Sequence, residues 1–214
     1  MNISSYPVAL ALALLLAGCN TAAAEPSLDE IRKAAERFRD VKVAIAEGYT
    51  TDNKCVTAET LGHPAEHGAM GLHYVRRDLL GLPPKPRAGV KVSGTGTYTD
   101  FGKPAMLVYE PQADGSLELV AVENLVFASA WHAKQGEEPP KYRGTPFVLL
   151  RDNPATKLDE AHGWEPHYEL HAWVFRDNPI GVHAQVNPTV SCRYHKPPAA
   201  AQAAQHPAGL APTG

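Results

Sequence analysis

What the sequence has little of bounds it before anything it contains. Past an apolar segment near the start, no hydrophobic run approaches the roughly 20 residues of a membrane-spanning helix. Lys and Arg total 20 against 23 acidic residues, for a formal charge of −3, and the longest basic run is Arg76-Arg77. That balance excludes the electrostatic footprint of a nucleic-acid-binding domain. No Walker loop, G-x-S-x-G elbow or H-E-x-x-H helix is present, which removes the most specific catalytic signatures. Gly94-Thr95-Gly96 lacks both the third glycine and the strand-to-helix context of a dinucleotide loop and reads as a flexible loop. There are three cysteines, none spaced closely enough to another for thiolate ligation of a metal.

The first residues are the most directive. The apolar stretch Val8 to Ala17 (VALALALLLA) leads into Leu16-Ala17-Gly18-Cys19, a secretory h-region ending in small residues. The Leu-Ala-Gly-Cys tetrad resembles the lipobox of bacterial lipoproteins, in which cleavage falls before a cysteine that carries lipid. The resemblance implies a signal peptide over 1–18, lipidation of Cys19, and anchorage to a membrane through two or three acyl chains. Asn20 rather than Asp follows the cysteine, which in a Gram-negative cell goes with the outer membrane, facing the periplasm. The n-region, MNISSYP, departs from the usual pattern in having no Lys or Arg. With Cys19 lipidated, Cys55 and Cys192 are left, and in an oxidising compartment an isolated pair reads as a disulfide. Loop entropy puts an upper figure of roughly 4–5 kcal/mol on such a bridge.

A tether at 19–26 precedes Ser27-Leu28-Asp29-Glu30, which fits a capping box. Leu28, Ile31, Ala35, Phe38, Val41 and Ile45 continue as one apolar stripe at helical spacing, up to a stop at Gly48. Leu72 to Leu80 is expected as a short helix and 81–104 as a long surface excursion. Strands are expected at Ala105–Glu110 and Leu117–Phe127 about a turn at Asp114-Gly115, then at Phe147–Leu150 and His167–Phe175. Leu117–Phe127 is apolar on both alternating sets, as in a central strand. The tail at 196–214 is Ala, Pro, Gln and Gly and is expected to be disordered. The fold class expected for 27–195 is one α+β domain, with an N-terminal amphipathic helix on a mainly antiparallel sheet of four or more strands, open or barrel-like.

Histidine placement points to chemistry. On a strand, residues two apart share a face, so His167, Glu169 and His171 form one row, continued by Trp173 and Phe175. Tyr168, Leu170, Ala172 and Val174 form an almost wholly apolar opposite row. Glu123 sits in the middle of LVAVENLVF, where an ionised carboxylate needs a cation or strong donors. His63 and His67 have i,i+4 spacing, but Pro64 and the glycines argue against a regular helix there. His73 stands in a more ordered segment.

The phrases GAMGLHYV, LVAVENLVF and HYELHAWVFRDNPIGVHAQVNPTVSC resemble a family of uncharacterised secreted bacterial proteins with the pattern G-M-G-x-H-Y, V-A-V-E, L-H-x-W, N-P-x-G and N-P-x-V-x-C. The match spans roughly 49–192 and includes Gly71, His73, Tyr74, Glu123, His171, Trp173, Asn178, Pro179, Gly181 and Cys192, with Ala69 in place of the first glycine. The resemblance brings no activity with it. It implies that His73, Glu123 and His171 belong together more than His63, His67 or His183 do.

The expectation is a single divalent metal held by His73, Glu123 and His171, with His167 as a fourth ligand and Tyr74, Glu169 and Trp173 in the surrounding pocket. Imidazole and carboxylate suit zinc or iron better than the soft-ligand site of reduced copper. Three protein ligands leave a position for water, which opens metal-assisted hydrolysis or oxidation. Two non-catalytic readings stand beside this one. The first is a lipoprotein that binds a small ligand against the row from His167 to Phe175; the second is a structural envelope protein with a buried polar network.

Overall fold

The structure is a computed structural model that describes residues 24–84 and 89–197. The segment 1–18 expected as a signal peptide, Cys19 and nearly all of the tail from 196 onward lie outside the described residues. No helix among the described residues is long and apolar enough to cross a membrane.

The chain opens with helix α1 (Leu28–Ala35), started by Ser27, whose hydroxyl accepts from the Glu30 amide while the Glu30 carboxylate accepts from the Ser27 amide. The apolar stripe does not continue as one helix. A 3-10 turn (Glu36–Arg39) follows, and Asp40 turns extended, with φ −86° and ψ 105°. Its carboxylate then accepts from the Lys42 amide and caps α2 (Val41–Ala46). This break rotates the helix. Ala44 is buried in place of Ile45, which is 55% exposed.

Strands β1 (Tyr49–Thr50) and β2 (Cys55–Thr57) both pair with β3 (Ala69–Arg76). β4 (Met106–Pro111) and β5 (Leu117–Phe127) form the expected hairpin, turned by Asp114, which accepts from the Ser116 amide, and by Gly115 at φ +87°. After helix α3 (Ala128–Gln135) come a small hairpin, β6 (Lys141–Tyr142) and β7 (Thr145–Pro146), then β8 (Val148–Leu150) and β9 (His167–Ala172). The main sheet runs β1-β3-β4-β5-β9-β8, with every pair antiparallel. The architecture is thus a mostly antiparallel sheet with few helices. The sheet is open: among the described residues β8 does not pair back to β1, so the barrel-like alternative is overturned.

Two sequence expectations are corrected. Leu72 to Leu80 begins not as a helix but as the second half of β3. Every residue from Ala69 to Val75 is buried there, since β3 has a strand on each side and packing on both faces. Gly71 allows the close approach, because its φ is +117° and a Cβ would sit 2.6 Å from the Tyr109 carbonyl oxygen. Within the described part of the segment expected as a surface excursion, 89–104 is instead anchored against the folded body. Phe101 is fully buried, and a Cβ on Gly94 would lie 2.3 Å from the Leu80 carbonyl oxygen.

The sheet divides two kinds of interior. On one face Leu72, Leu107, Tyr109, Val122, Val126 and Leu170 pack with Ile31, Ala35, Phe38 and Ala44 of the helical segment. On the other face Val75, Met106 and Leu125 meet residues of the loops, including Leu80 and Trp164. Val108, Ala121 and Trp173 on that side meet Val190 of the C-terminal segment. A Cys55–Cys192 disulfide, closing 137 residues, ties that segment to β2.

Candidate metal centre

The register of the sheet sets the site. Glu123 on β5 lies directly opposite His171 on β9, and β5 pairs through Met106 of β4 with the strand that carries His73. Odd-numbered residues of β9 share a face, so His167, Glu169 and His171 stand in one row as expected. The row ends sooner than expected: β9 stops at Ala172, and Phe175 packs with the helix-side core. Trp173 lies flat on His171, with ring centroids 5.5 Å apart and an interplanar angle of 9°, and its indole N–H donates to the Ala184 carbonyl.

Six ligand-type side chains converge on this face in two groups, His73 with Glu123 and His171, and His162 with His167 and Glu169. In the first, Glu123 Oε2 is 3.1 Å from His73 Nε2 and 3.4 Å from His171 Nε2. Despite the short distances, neither contact has hydrogen-bond geometry: both Glu123 oxygens and both Nε2 atoms are buried and unpaired. Glu123 is fully buried and, among the described residues, forms no ion pair with Arg or Lys. An uncompensated carboxylate there would cost several kcal/mol. Donor atoms bound to one ion at roughly 2.0–2.2 Å lie about 2.8–3.6 Å apart across right or tetrahedral angles. The observed spacings fall in that range, so the geometry fits a shared cation better than a pair of hydrogen bonds.

His167 does not join this group as a fourth ligand. Its Nε2 is 3.3 Å from Glu169 Oε2, and the same oxygen is 3.8 Å from His162 Nε2. The other Glu169 oxygen accepts from Gln185 Nε2 at 3.3 Å. Tyr74 is not in the pocket either, because neighbouring strand residues point to opposite faces; its ring packs edge-on against Tyr109 in the helix-side core. His63 and His67 sit beside each other, with His67 ending a single 3-10 turn (Ala65–His67), and belong to neither group. His183 Nδ1 bonds to the His171 carbonyl oxygen at 2.7 Å and braces the strand rather than joining the ligands.

Sequence reasoning missed His162. It lies in the loop between β8 and β9 with φ +39°, and nothing local marks it. That loop is held over the site by the segment once expected at the surface. The Val92 amide donates to the Gly163 carbonyl, and the Glu165 amide donates to the Val92 carbonyl. Lys91 adds ion pairs to Asp152 at 2.6 Å and Asp159 at 3.2 Å.

The electrostatics favour cation binding. Burial works against ionised Glu169, yet His162 and His167 beside it hold its carboxyl well below the usual carboxylate range. Burial pushes His162 down, toward the neutral form that ligates metals. Burial also opposes a charged His73, but the Glu123 carboxylate outweighs it and raises His73 above the ordinary histidine value.

A cavity of about 320 Å³ reaches the ligands from outside, lined by His73 and His162 together with Asp52, Lys54, Arg77 and Trp164. Those two histidines are 7% and 6% exposed, against at most 1% for the other four ligands.

No family model, curated protein or solved structure matches the chain. The functional reading therefore rests on the site itself.

Proposed function

We propose that this chain is an exported, lipid-anchored metal-binding protein whose primary site is His73, Glu123 and His171. The observation that carries the metal is Glu123: fully buried, with both carboxylate oxygens unpaired and two imidazole nitrogens at 3.1 and 3.4 Å. Two histidines and one carboxylate make the open three-ligand set of catalytic zinc and of non-haem iron(II), so zinc or iron is assigned in preference to copper. The cavity at His73 supplies room for a water or a small ligand on the ion's free side. An ion open to such a cavity suits metal-assisted hydrolysis or oxidation.

Export and anchorage rest on the segment ending at Cys19 and on the resemblance to secreted bacterial proteins. The Cys55–Cys192 disulfide agrees with an oxidising compartment. The alternative is a metal-free lipoprotein that binds a small ligand, and what favours it is the apolar part of the cavity lining, Val56, Val75, Leu82, Val92, Met106 and Trp164.

The deciding measurement is bound metal in the purified full-length chain and in His73→Ala, Glu123→Ala and His171→Ala, after repletion with zinc, iron and copper. The wild type is expected to retain zinc or iron, and each variant to lose the ion at this site. Near-zero metal in all four overturns the reading. Incorporation of a fatty-acid label, lost in Cys19→Ala, tests the anchor.

A further inference from the structure

We infer that His162, His167 and Glu169 hold a second divalent cation, so that the chain carries a paired metal centre whose shared open side is the cavity at His73 and His162. This inference rests on the reading of the first site given above.

The tautomer of His167 is the starting point. Its Nδ1 lies 2.9 Å from the Glu165 carbonyl oxygen, which can only accept, so Nδ1 carries a proton. A neutral ring then presents the bare lone pair of Nε2 to Glu169 Oε2 at 3.3 Å. Two acceptors facing each other where both side chains are buried repel unless a cation lies between them. A proton could serve the His167–Glu169 pair but leaves His162 out. Its Nε2 is aimed at the same oxygen from 3.8 Å, is buried, and has no hydrogen-bond partner. One ion beside Oε2 answers both nitrogens together.

The surroundings are those of a built ligand set. A ligating histidine commonly donates its other N–H to a backbone carbonyl, and a ligating carboxylate is itself hydrogen-bonded. His167 has the first through Glu165, and Glu169 has the second through Gln185, whose amide occupies Oε1 and leaves Oε2 for the ion. The His162 loop is pinned by the Val92 backbone pairing and the Lys91 ion pairs, so the third ligand is placed by structure outside the sheet.

The two groups form one centre rather than two separate ones. His73 and His162, one from each, stack with ring centroids 5.9 Å apart and an interplanar angle of 6°. Glu169 and His171 are two residues apart on one face of β9. Each group has the same composition, two imidazoles and one carboxylate, and each sends one histidine to the wall of the same cavity. Positions left free on the two ions therefore face a common space, where one small molecule could meet both.

Cobalt(II) or zinc titrated into the metal-free full-length chain tests this, with stoichiometry read by elemental analysis and by the cobalt absorption bands. Two equivalents are expected in the wild type. His162→Ala and the near-isosteric Glu169→Gln are expected to keep one, Glu123→Gln to keep the other, and Glu123→Gln with Glu169→Gln to keep none. Circular dichroism and the intact Cys55–Cys192 bridge check that each variant is folded. A wild type that binds one equivalent, kept in His162→Ala and lost in Glu123→Gln, overturns the second ion and leaves the first site standing. Loss of both ions in His162→Ala overturns the assignment of separate ligand sets. No metal in the wild type overturns both readings.

Discussion

On one side of β9, Tyr168, Leu170 and Ala172 pack into the helix-side core; on the other, His167, Glu169 and His171 are equally buried but bring ring nitrogens and carboxylate oxygens. The first face follows ordinary folding logic: apolar area leaves water, and each side chain contributes stability in proportion. The second face gives up that contribution. Three imidazoles and two carboxylates occupy strand positions where apolar side chains would add to the core, and several of their polar atoms have no partner. Such a face has the composition of a ligand set, which the first face lacks. The comparison separates residues that hold the fold from residues that could hold an ion, and it can be broken by changing one face at a time.

The largest effect is expected on the helix side. Phe38 is buried and meets Tyr49 edge-on at 5.1 Å. Phe38→Ala should cost about 3–5 kcal/mol in urea unfolding, by lost transfer energy and the cavity left behind. Metal bound per folded chain should not change. A fall in metal content at equal folded fraction would mean that the two faces are not separable.

Next comes the tie between the faces. Cys192 packs with Val190 and Trp173, which cover the ligand side, and Cys55 packs with the helix-side core. Cys55→Ser with Cys192→Ser should lower stability by about 2–4 kcal/mol and also speed metal release to a chelator, since the C-terminal cover is freed. Unchanged release kinetics would show that this segment does not guard the site.

Chelation should act on the ligand face alone. A ligand that binds only the folded state stabilises by about 2.7 kcal/mol when present at 100 times its Kd. Removing metal is therefore expected to lower the melting temperature of the wild type and of Phe38→Ala by similar amounts, and that of Glu123→Gln by less. Equal shifts in all three would place the bound metal somewhere other than Glu123.

How far the sequence foretold these faces follows from the range of each signal. The β4–β5 hairpin was legible because Asp114-Gly115 is a local turn signal between two apolar runs. The His167/Glu169/His171 row was legible because period-two alternation is local as well. Glu123 stood out since a carboxylate amid Val, Ala and Leu demands a partner. His162 was not legible, because only the pairing of Val92 with Gly163 and Glu165 brings it in, a contact across about seventy positions. The second half of β3 was not legible, lying in the Leu72–Leu80 segment expected as a helix, and only strands on both sides make an eight-residue strand containing Gly71 favourable. The split of the histidine row between two groups was also out of reach: it depends on where His73 and His162 arrive from other parts of the chain.

The smallest expected effect is the sharpest test, since it distinguishes the two halves of the ligand face from each other. Gln185 Nε2 donates to Glu169 Oε1, in the ligand group that does not contain Glu123. Gln185→Leu removes that donor while keeping similar bulk, leaving Oε1 buried without a partner and free to swing toward the ion. Loss of such an outer partner typically weakens metal affinity about 10–100-fold. The weakening should fall on one of two ions, splitting a competition titration with a chelator into two well-separated steps while the tighter step stays where it is in the wild type. If both steps move together, the ions share more than a cavity. If neither moves, Gln185 merely fills space and the orientation of Glu169 is set by β9 alone.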